Sequence, residues 1–372
     1  MQMRPENFVE RLEELGAEWG ESEQGPIVEA FGDGDKEYWA VRSESAGLVD
    51  RSERETLVLT GEDAVPWLQG LVTSDLLDLQ EPGSGLWTCA TNVNGRMVGD
   101  MRVMHVPEML LVDLEPGVLE GGLLDHLKQQ IILEDVELDD RTETTGRIGV
   151  FGRRAADVLG RAGQWETAPS EIAEFDGTWG VVGGDDVIIQ SRRWTGGPGF
   201  DLYFERGRSR AVWEGVMEAG GDEIRPVGAR AMETLRIEAG VPRFGVETHE
   251  KIIPLEANLG ELISFEKGCY VGQEIIARLD TRGTPAKRLR TLIFEGGAAP
   301  HEGAELEADG RDAGEVVSAA WSPLLEAPIA LAYVKRNVND PGTQVDVEGR
   351  VARVELTGYP LAERADQTEG AA

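Results

Sequence analysis

The sequence predicts an α+β protein that ends in a small all-β unit, and three observations carry that prediction. Helical and extended segments alternate without the regular βαβ rhythm of a doubly wound sheet. Over 372 residues, 41% of them hydrophobic, there is apolar material for more than one core. Beyond about residue 285 the helical periodicity gives way to short β-prone stretches separated by Gly, Pro and Asn, the pattern of a small barrel or sandwich.

Taken in order, Phe8, Leu12, Leu15 and Trp19 recur at helical spacing and predict an amphipathic N-terminal helix with no signal-peptide core. Leu57–Thr60 reads as a strand, and Gly61-Glu62-Asp63 leads into a helix carrying Val65, Trp67, Leu68, Leu71 and Val72, with Pro66 tolerable in its first turn. Leu86–Ala90 and Met97–Val106 read as two strands joined by the Asn92–Arg96 turn. A helix is expected from Leu119 to Ile132, a strand at Ile148–Phe151, a helix from Ala155 towards Leu159, a hairpin around Gly183-Gly184, and a helix over Gly228–Glu238. The boundary near Thr284-Pro285 divides residues 1–284 from a β unit over 285–372. Its strands are expected at 289–294, 314–318, 329–334, 344–347 and 350–356, with a polar, frayed tail from about Ala362.

Acidic residues number 69 against 36 Lys plus Arg, for a formal charge of -33, and six of the 36 are lysines. Such a surface stays hydrated in concentrated salt and repels itself at low salt, which points to a halophilic setting. A broad nucleic-acid groove is excluded because phosphate neutralisation needs clustered cations. No run of eighteen apolar residues crosses a membrane, and the chain reads as soluble and cytoplasmic. Cys89 and Cys269 fit a reducing compartment, with no Cys/His spacing for a resident metal or cluster.

The most specific stretch is Lys267-Gly268-Cys269-Tyr270-Val271-Gly272-Gln273-Glu274. Gly268 and Gly272 free the backbone for a tight turn and close approach. Lys267, two residues from Cys269, is placed to favour a thiolate. From spacing alone, a buried structural cysteine in a glycine-cornered turn is the commoner outcome. Upstream, Leu68-Gln69-Gly70-Leu71-Val72-Thr73-Ser74-Asp75, Leu235-Arg236-Ile237-Glu238-Ala239-Gly240 and Pro254-Leu255-Glu256-Ala257-Asn258-Leu259 follow in order, with Gly314–Ser318 and Pro328–Ala332 beyond. These resemble the LQGxxTxD, LRxExG, PxEAxL, KGC(Y/F)xGQE and barrel segments of the glycine-cleavage T-protein superfamily, in its YgfZ-type branch. The resemblance implies two α+β subdomains around a folate cleft plus a C-terminal β-barrel. It also implies that Cys269 is linked to iron–sulfur proteins.

Three further positions follow from the same resemblance. Asp100 stands where T-proteins carry an aspartate pair, one of which orients the reacting folate nitrogen; Gly99 occupies the first of the two positions. A carboxylate there can stabilise charge developing at a folate nitrogen. Arg193–Leu202 resembles a loop whose glutamate contacts the pterin, and Gly197 stands in its place. Trp194 offers a ring for stacking. Arg236 is placed to grip an anionic folate tail. Cys89, on an apolar strand, reads as core. The expected site is therefore Cys269, Lys267 and Asp100 for chemistry, with Asp100, Trp194, Arg236, Gly268, Gln273 and Glu274 binding folate.

The function implied by the resemblance is a tetrahydrofolate-binding accessory protein for iron–sulfur assembly or repair, with iron–sulfur client or assembly proteins as partners. The alternative is a glycine-cleavage aminomethyltransferase working with a lipoyl carrier protein, against which Gly99 and Gly197 count. A sarcosine-type demethylase lacks its flavin motif here, and a non-catalytic binding module is the third rival.

Overall fold

The computed structural model describes residues 4–43 and 45–358; the tail expected to fray from Ala362 lies outside them. Two sheets face one another. One has seven strands in the order Gly163–Trp165, Gly177–Val182, Asp185–Ser191, Gly199–Glu205, Thr145–Phe151, Ala46–Asp50 and Ile224–Pro226. The other has five, in the order Gly85–Thr91, Met97–Val106, Met109–Leu114, Glu55–Thr60 and Glu137–Asp140. A closed barrel of six strands runs from Lys287–Phe294 to Arg350–Glu355. The α+β architecture with a C-terminal barrel is thus the observed one.

Each sheet buries its outer face under helices. The N-terminal helix Glu6–Glu14 presents Phe8 and Leu12, four residues apart on one stripe, to the core beneath the seven-stranded sheet. The helix Ser209–Gly220 adds Val212, Trp213 and Val216 to that core. On the five-stranded sheet, Trp67 and Leu68 of the helix Ala64–Gln69 pack with Leu57, Val103 and Val112. The helix Ala229–Ala239 lies against the barrel. Its Glu238 accepts from the Ser322 hydroxyl at 2.6 Å, the Tyr38 hydroxyl at 2.8 Å and Arg42 Nη2 at 2.7 Å, pinning three parts of the chain to one carboxylate.

Several elements differ from the sequence reading. The N-terminal helix stops at Glu14 because Gly16 turns left-handed at φ 87°, and Trp19 lies on the strand Glu18–Ser22. The expected Leu119–Ile132 helix is broken at Gly122, whose φ is 120°, and regular helix is confined to Leu124–Lys128. The helices Gly34–Arg42, Ser209–Gly220 and Gln273–Arg282 were not anticipated. The first is marked by Asp33, whose side chain caps Lys36 N at 3.2 Å.

Among the described residues, no helix is long and apolar enough to cross a membrane. With a formal charge of -33, raising KCl from low to molar concentration should raise the unfolding midpoint, because self-repulsion is screened. Midpoints that stay flat or fall would contradict a halophilic surface.

Candidate functional site

The site lies where the two sheets face each other, and strand alternation decides which residues reach it. Cys89 is opposite Asp100, Trp87 opposite Arg102, and Arg102 opposite Asp113. Paired residues share a face, so Trp87, Cys89, Asp100, Arg102 and Asp113 all point inward. Arg147, Asp201 and Arg192 approach from the seven-stranded side. Asp113 accepts from Arg54 Nε at 2.8 Å, Arg54 Nη2 at 2.7 Å and Arg192 Nη1 at 2.8 Å, and also from Arg147. Asp201 takes Arg192 Nη1 at 2.8 Å, and Glu115 lies 2.7 Å from Arg54 Nη1. Burial alone would raise the Asp113 carboxyl, but Arg147, Arg54 and Arg192 hold it well below the usual range. Glu115 is held down in the same way by Arg54, Arg192 and Arg102.

Beside this network opens a cavity of about 380 Å³, within the size range of small-molecule sites. Its wall includes Arg51, Glu115, Trp194, Met232, Glu233 and Phe244. The Trp194 ring is surrounded by guanidinium groups, with Arg192 at 4.5 Å, Arg51 at 5.3 Å, and Arg54 and Arg102 each at 5.9 Å from its centroid.

Asp100 is buried one step behind that wall. Its Oδ2 accepts from the Trp87 indole N–H at 2.8 Å and lies 3.4 Å from Arg102 Nη1, which is also 3.5 Å from Glu115 on the wall. Asp100 Oδ1 has no hydrogen-bond partner among the described residues, so one buried carboxylate oxygen stands ready for a donor. Burial raises the Asp100 carboxyl, with Arg102 opposing.

This architecture and its charged interior can be set beside known proteins. Residues 8–267 match the family described as GCVT N-terminal domain, and residues 287–361 match the Glycine cleavage T-protein C-terminal barrel domain. The aminomethyltransferase of Geobacillus kaustophilus is 31% identical over 333 residues, covering 88% of this chain and 89% of that one. That of Caldanaerobacter subterraneus subsp. tengcongensis is 29% identical over 313 residues, covering 84% and 82%. This chain belongs to the glycine-cleavage T-protein family. In three dimensions it matches the crystal structure of glycine cleavage system aminomethyltransferase T from Bartonella henselae with a TM-score of 0.84 at 21% identity, over 96% of this chain and 98% of that one. These T-protein relatives carry the name aminomethyltransferase, so they support the wider family resemblance and not its YgfZ branch.

Gly99 faces away from the site: a Cβ built there would lie 3.0 Å from Leu123 Cδ2 and 3.1 Å from Val118 Cγ1, in the outer core. Its lack of a carboxylate removes nothing from the inner face, which corrects the weight placed on it from sequence. A Cβ at Gly197 meets nothing within 4 Å, and Gly197 is not on the cavity wall, where Glu115 and Glu233 supply carboxylates.

Arg236 is also reassigned. It is fully buried, and its guanidinium donates to Glu233, Glu247 and the Val241 carbonyl at 2.6 to 3.0 Å. All five N–H groups are engaged, so it joins its helix to the neighbouring loop and has no donor for a folate tail. Lys267 differs from expectation for a similar reason. Its Nζ donates to the carbonyls of Gln69 at 2.6 Å, Val72 at 2.7 Å and Ser74 at 2.7 Å, capping the end of the helix Ala64–Gln69. Desolvation lowers its ammonium to about 8, but the group serves the helix end and not a thiolate.

The rest of the KGCYVGQE segment is a brace for the sheet. Gly272 has φ 86°, and a Cβ there would lie 2.5 Å from the Asn92 carbonyl, so glycine alone fits against the hairpin turn. The Thr91 hydroxyl donates to the Val271 carbonyl at 2.5 Å. Gln273 opens the helix Gln273–Arg282, and Glu274 is exposed and pairs with Arg278 at 3.2 Å. Gly268 and Cys269 are exposed. None of Gly268, Cys269, Gln273 and Glu274 lines the cavity, so their expected place in a folate site finds no support in the geometry. Cys89 lies in the core, where burial pushes its thiol up to about 12.

Sequence reading missed Arg51, Arg54, Trp87, Arg102, Asp113 and Glu115. One signal was present: Asp100 and Arg102 place charges two apart within a largely apolar strand, and Asp113 and Glu115 do so at the end of the next. At period two, such pairs share one sheet face.

Proposed function

We propose that this protein binds a reduced folate in the cavity between its two sheets and takes part in one-carbon transfer of the aminomethyltransferase kind. The observation that carries the reading is the buried Asp100, with Oδ2 anchored and Oδ1 unpartnered, linked through Arg102 to Glu115 on the cavity wall. The relatives' printed names support the same reading, and the outward direction of Gly99 removes an objection to it.

The residues fit such a ligand. Trp194 lines the cavity with the part of its ring that the guanidinium groups leave uncovered, and Glu115, held ionised by its arginines, can accept from the amino and ring N–H donors of a pterin. Bound tetrahydrofolate would supply the nitrogen that accepts or releases the one-carbon unit. Asp100, one layer behind the wall, would stabilise positive charge developing there through space, in a setting where burial strengthens electrostatic attraction. Phe244, Met232 and Trp194 limit water around it.

A second reading, iron–sulfur maintenance, rests on the exposed thiol of Cys269 in the KGCYVGQE segment. Two assays separate them. Purified protein, with tetrahydrofolate and a lipoyl carrier bearing the aminomethyl group on one sulfur, should form methylene-tetrahydrofolate, ammonia and the dihydrolipoyl carrier. A deletion strain that loses iron–sulfur enzyme activities, keeps glycine cleavage, and is rescued by wild type but not by Cys269→Ser would instead establish the second reading.

A further inference from the structure

The cavity wall is electrostatically asymmetric. Its carboxylates are mostly neutralised from behind: Asp50 pairs with Arg4 and accepts the Ser52 hydroxyl at 2.6 Å, Glu115 lies 2.7 Å from Arg54, and Glu233 is 2.6 Å from Arg236. The two cations on the wall are paired only at longer range. Arg51 has no carboxylate closer than Glu53 at 3.6 Å and Asp201 at 4.0 Å, and Arg243 reaches Glu233 only at 3.5 Å. Among the described residues, no side-chain hydrogen bond anchors the Arg51 guanidinium, although Arg51 is 5% exposed. Its plane is held by contact with aromatic rings, 5.3 Å from the Trp194 centroid and 5.7 Å from that of Phe151. A buried guanidinium, fixed by rings yet without a close acceptor, is an incomplete ion pair.

We propose that Arg51, seconded by Arg243, is the carboxylate-binding group of the cavity and sets its preference for a ligand carrying an acidic tail. The inference rests on the folate reading and moves tail recognition from Arg236, whose donors are all engaged, to a residue on the wall. A guanidinium presents paired N–H donors that match a carboxylate edge, and the aromatic contacts of Arg51 orient them in advance. The network behind, Arg54 and Arg192 above all, is tied to Asp113, Asp201 and Glu115, and so does not compete for the incoming anion.

The test is calorimetric titration at fixed KCl with three probes: tetrahydrofolate, 6-methyltetrahydropterin, which lacks the acidic tail, and N-(4-aminobenzoyl)-L-glutamate, which lacks the pterin. Wild type should prefer tetrahydrofolate over the tail-less pterin by about tenfold or more. Arg51→Gln should erase that preference while leaving affinity for the pterin nearly unchanged, with Arg51→Lys retaining part of it. An unaltered preference in Arg51→Gln, or in Arg51→Lys should the glutamine variant not fold, overturns the proposal while leaving the folate reading in place. If wild type binds neither pterin compound, the folate reading fails. The tail fragment then decides: binding that Arg51→Gln abolishes upholds the role of Arg51, and no binding overturns it.

Discussion

Asp113→Ala should destabilise the protein by about 3–5 kcal/mol, the cost of stripping a buried charge network of its shared partner. The carboxylate accepts from three arginines, Arg54, Arg147 and Arg192, all buried between the sheets. Removing it leaves their charges facing one another in a low-dielectric interior. Denaturant unfolding in high salt, with the slope checked for constancy, measures the loss. A change under 1 kcal/mol would mean that the network does not hold the sheets together. The sign with pH follows from the lowered Asp113 carboxyl. Its contribution is fully present above the unfolded-state value, near the ordinary carboxylate range, and is lost as pH falls through the folded value. Wild type should therefore be more acid-labile than Asp113→Asn relative to each protein's neutral-pH stability.

Asp100→Asn should lower the rate of one-carbon transfer by about 10²- to 10⁴-fold while changing folate affinity far less. The amide oxygen can still accept from the Trp87 indole N–H, but the side chain carries no charge to stabilise a cationic nitrogen. In wild type, activity that needs the carboxylate should fall on the acid side from a higher pH than an exposed aspartate would give, because burial raises Asp100. Steady-state rates across pH, in reconstituted glycine cleavage, report both. An unaltered rate in Asp100→Asn would remove this residue from the chemistry.

The architecture was legible because it rests on local pattern: the short apolar run at Leu57–Thr60, the Asn92–Arg96 turn, and the change of character near Pro285 are short-range signals. The family's motif order also singled out Asp100 and Trp194, and the fold puts Trp194 on the cavity wall and Asp100 behind it. Other parts depended on contacts far apart in sequence. Two of the Arg236 donors go to Glu247, eleven residues on in a loop, which no periodicity reveals. Lys267 caps a helix end nearly two hundred positions upstream. Gly99 looked like a lost catalytic residue until the strand's facing was known. Even there, alternation with Asp100 held the answer, since neighbours on a strand point to opposite sides. The buried ionic network was the largest omission, because arginines in strands read as surface residues until the facing sheet is in place.

The central claim is that the cavity beside Trp194 holds a reduced folate, and one titration tests it most directly. Tetrahydrofolate added to wild type in high salt should bind saturably at one site, and Trp194→Leu should weaken that binding by about tenfold or more through loss of the stacking surface. Lack of binding by wild type, or an affinity unchanged in Trp194→Leu, would contradict it.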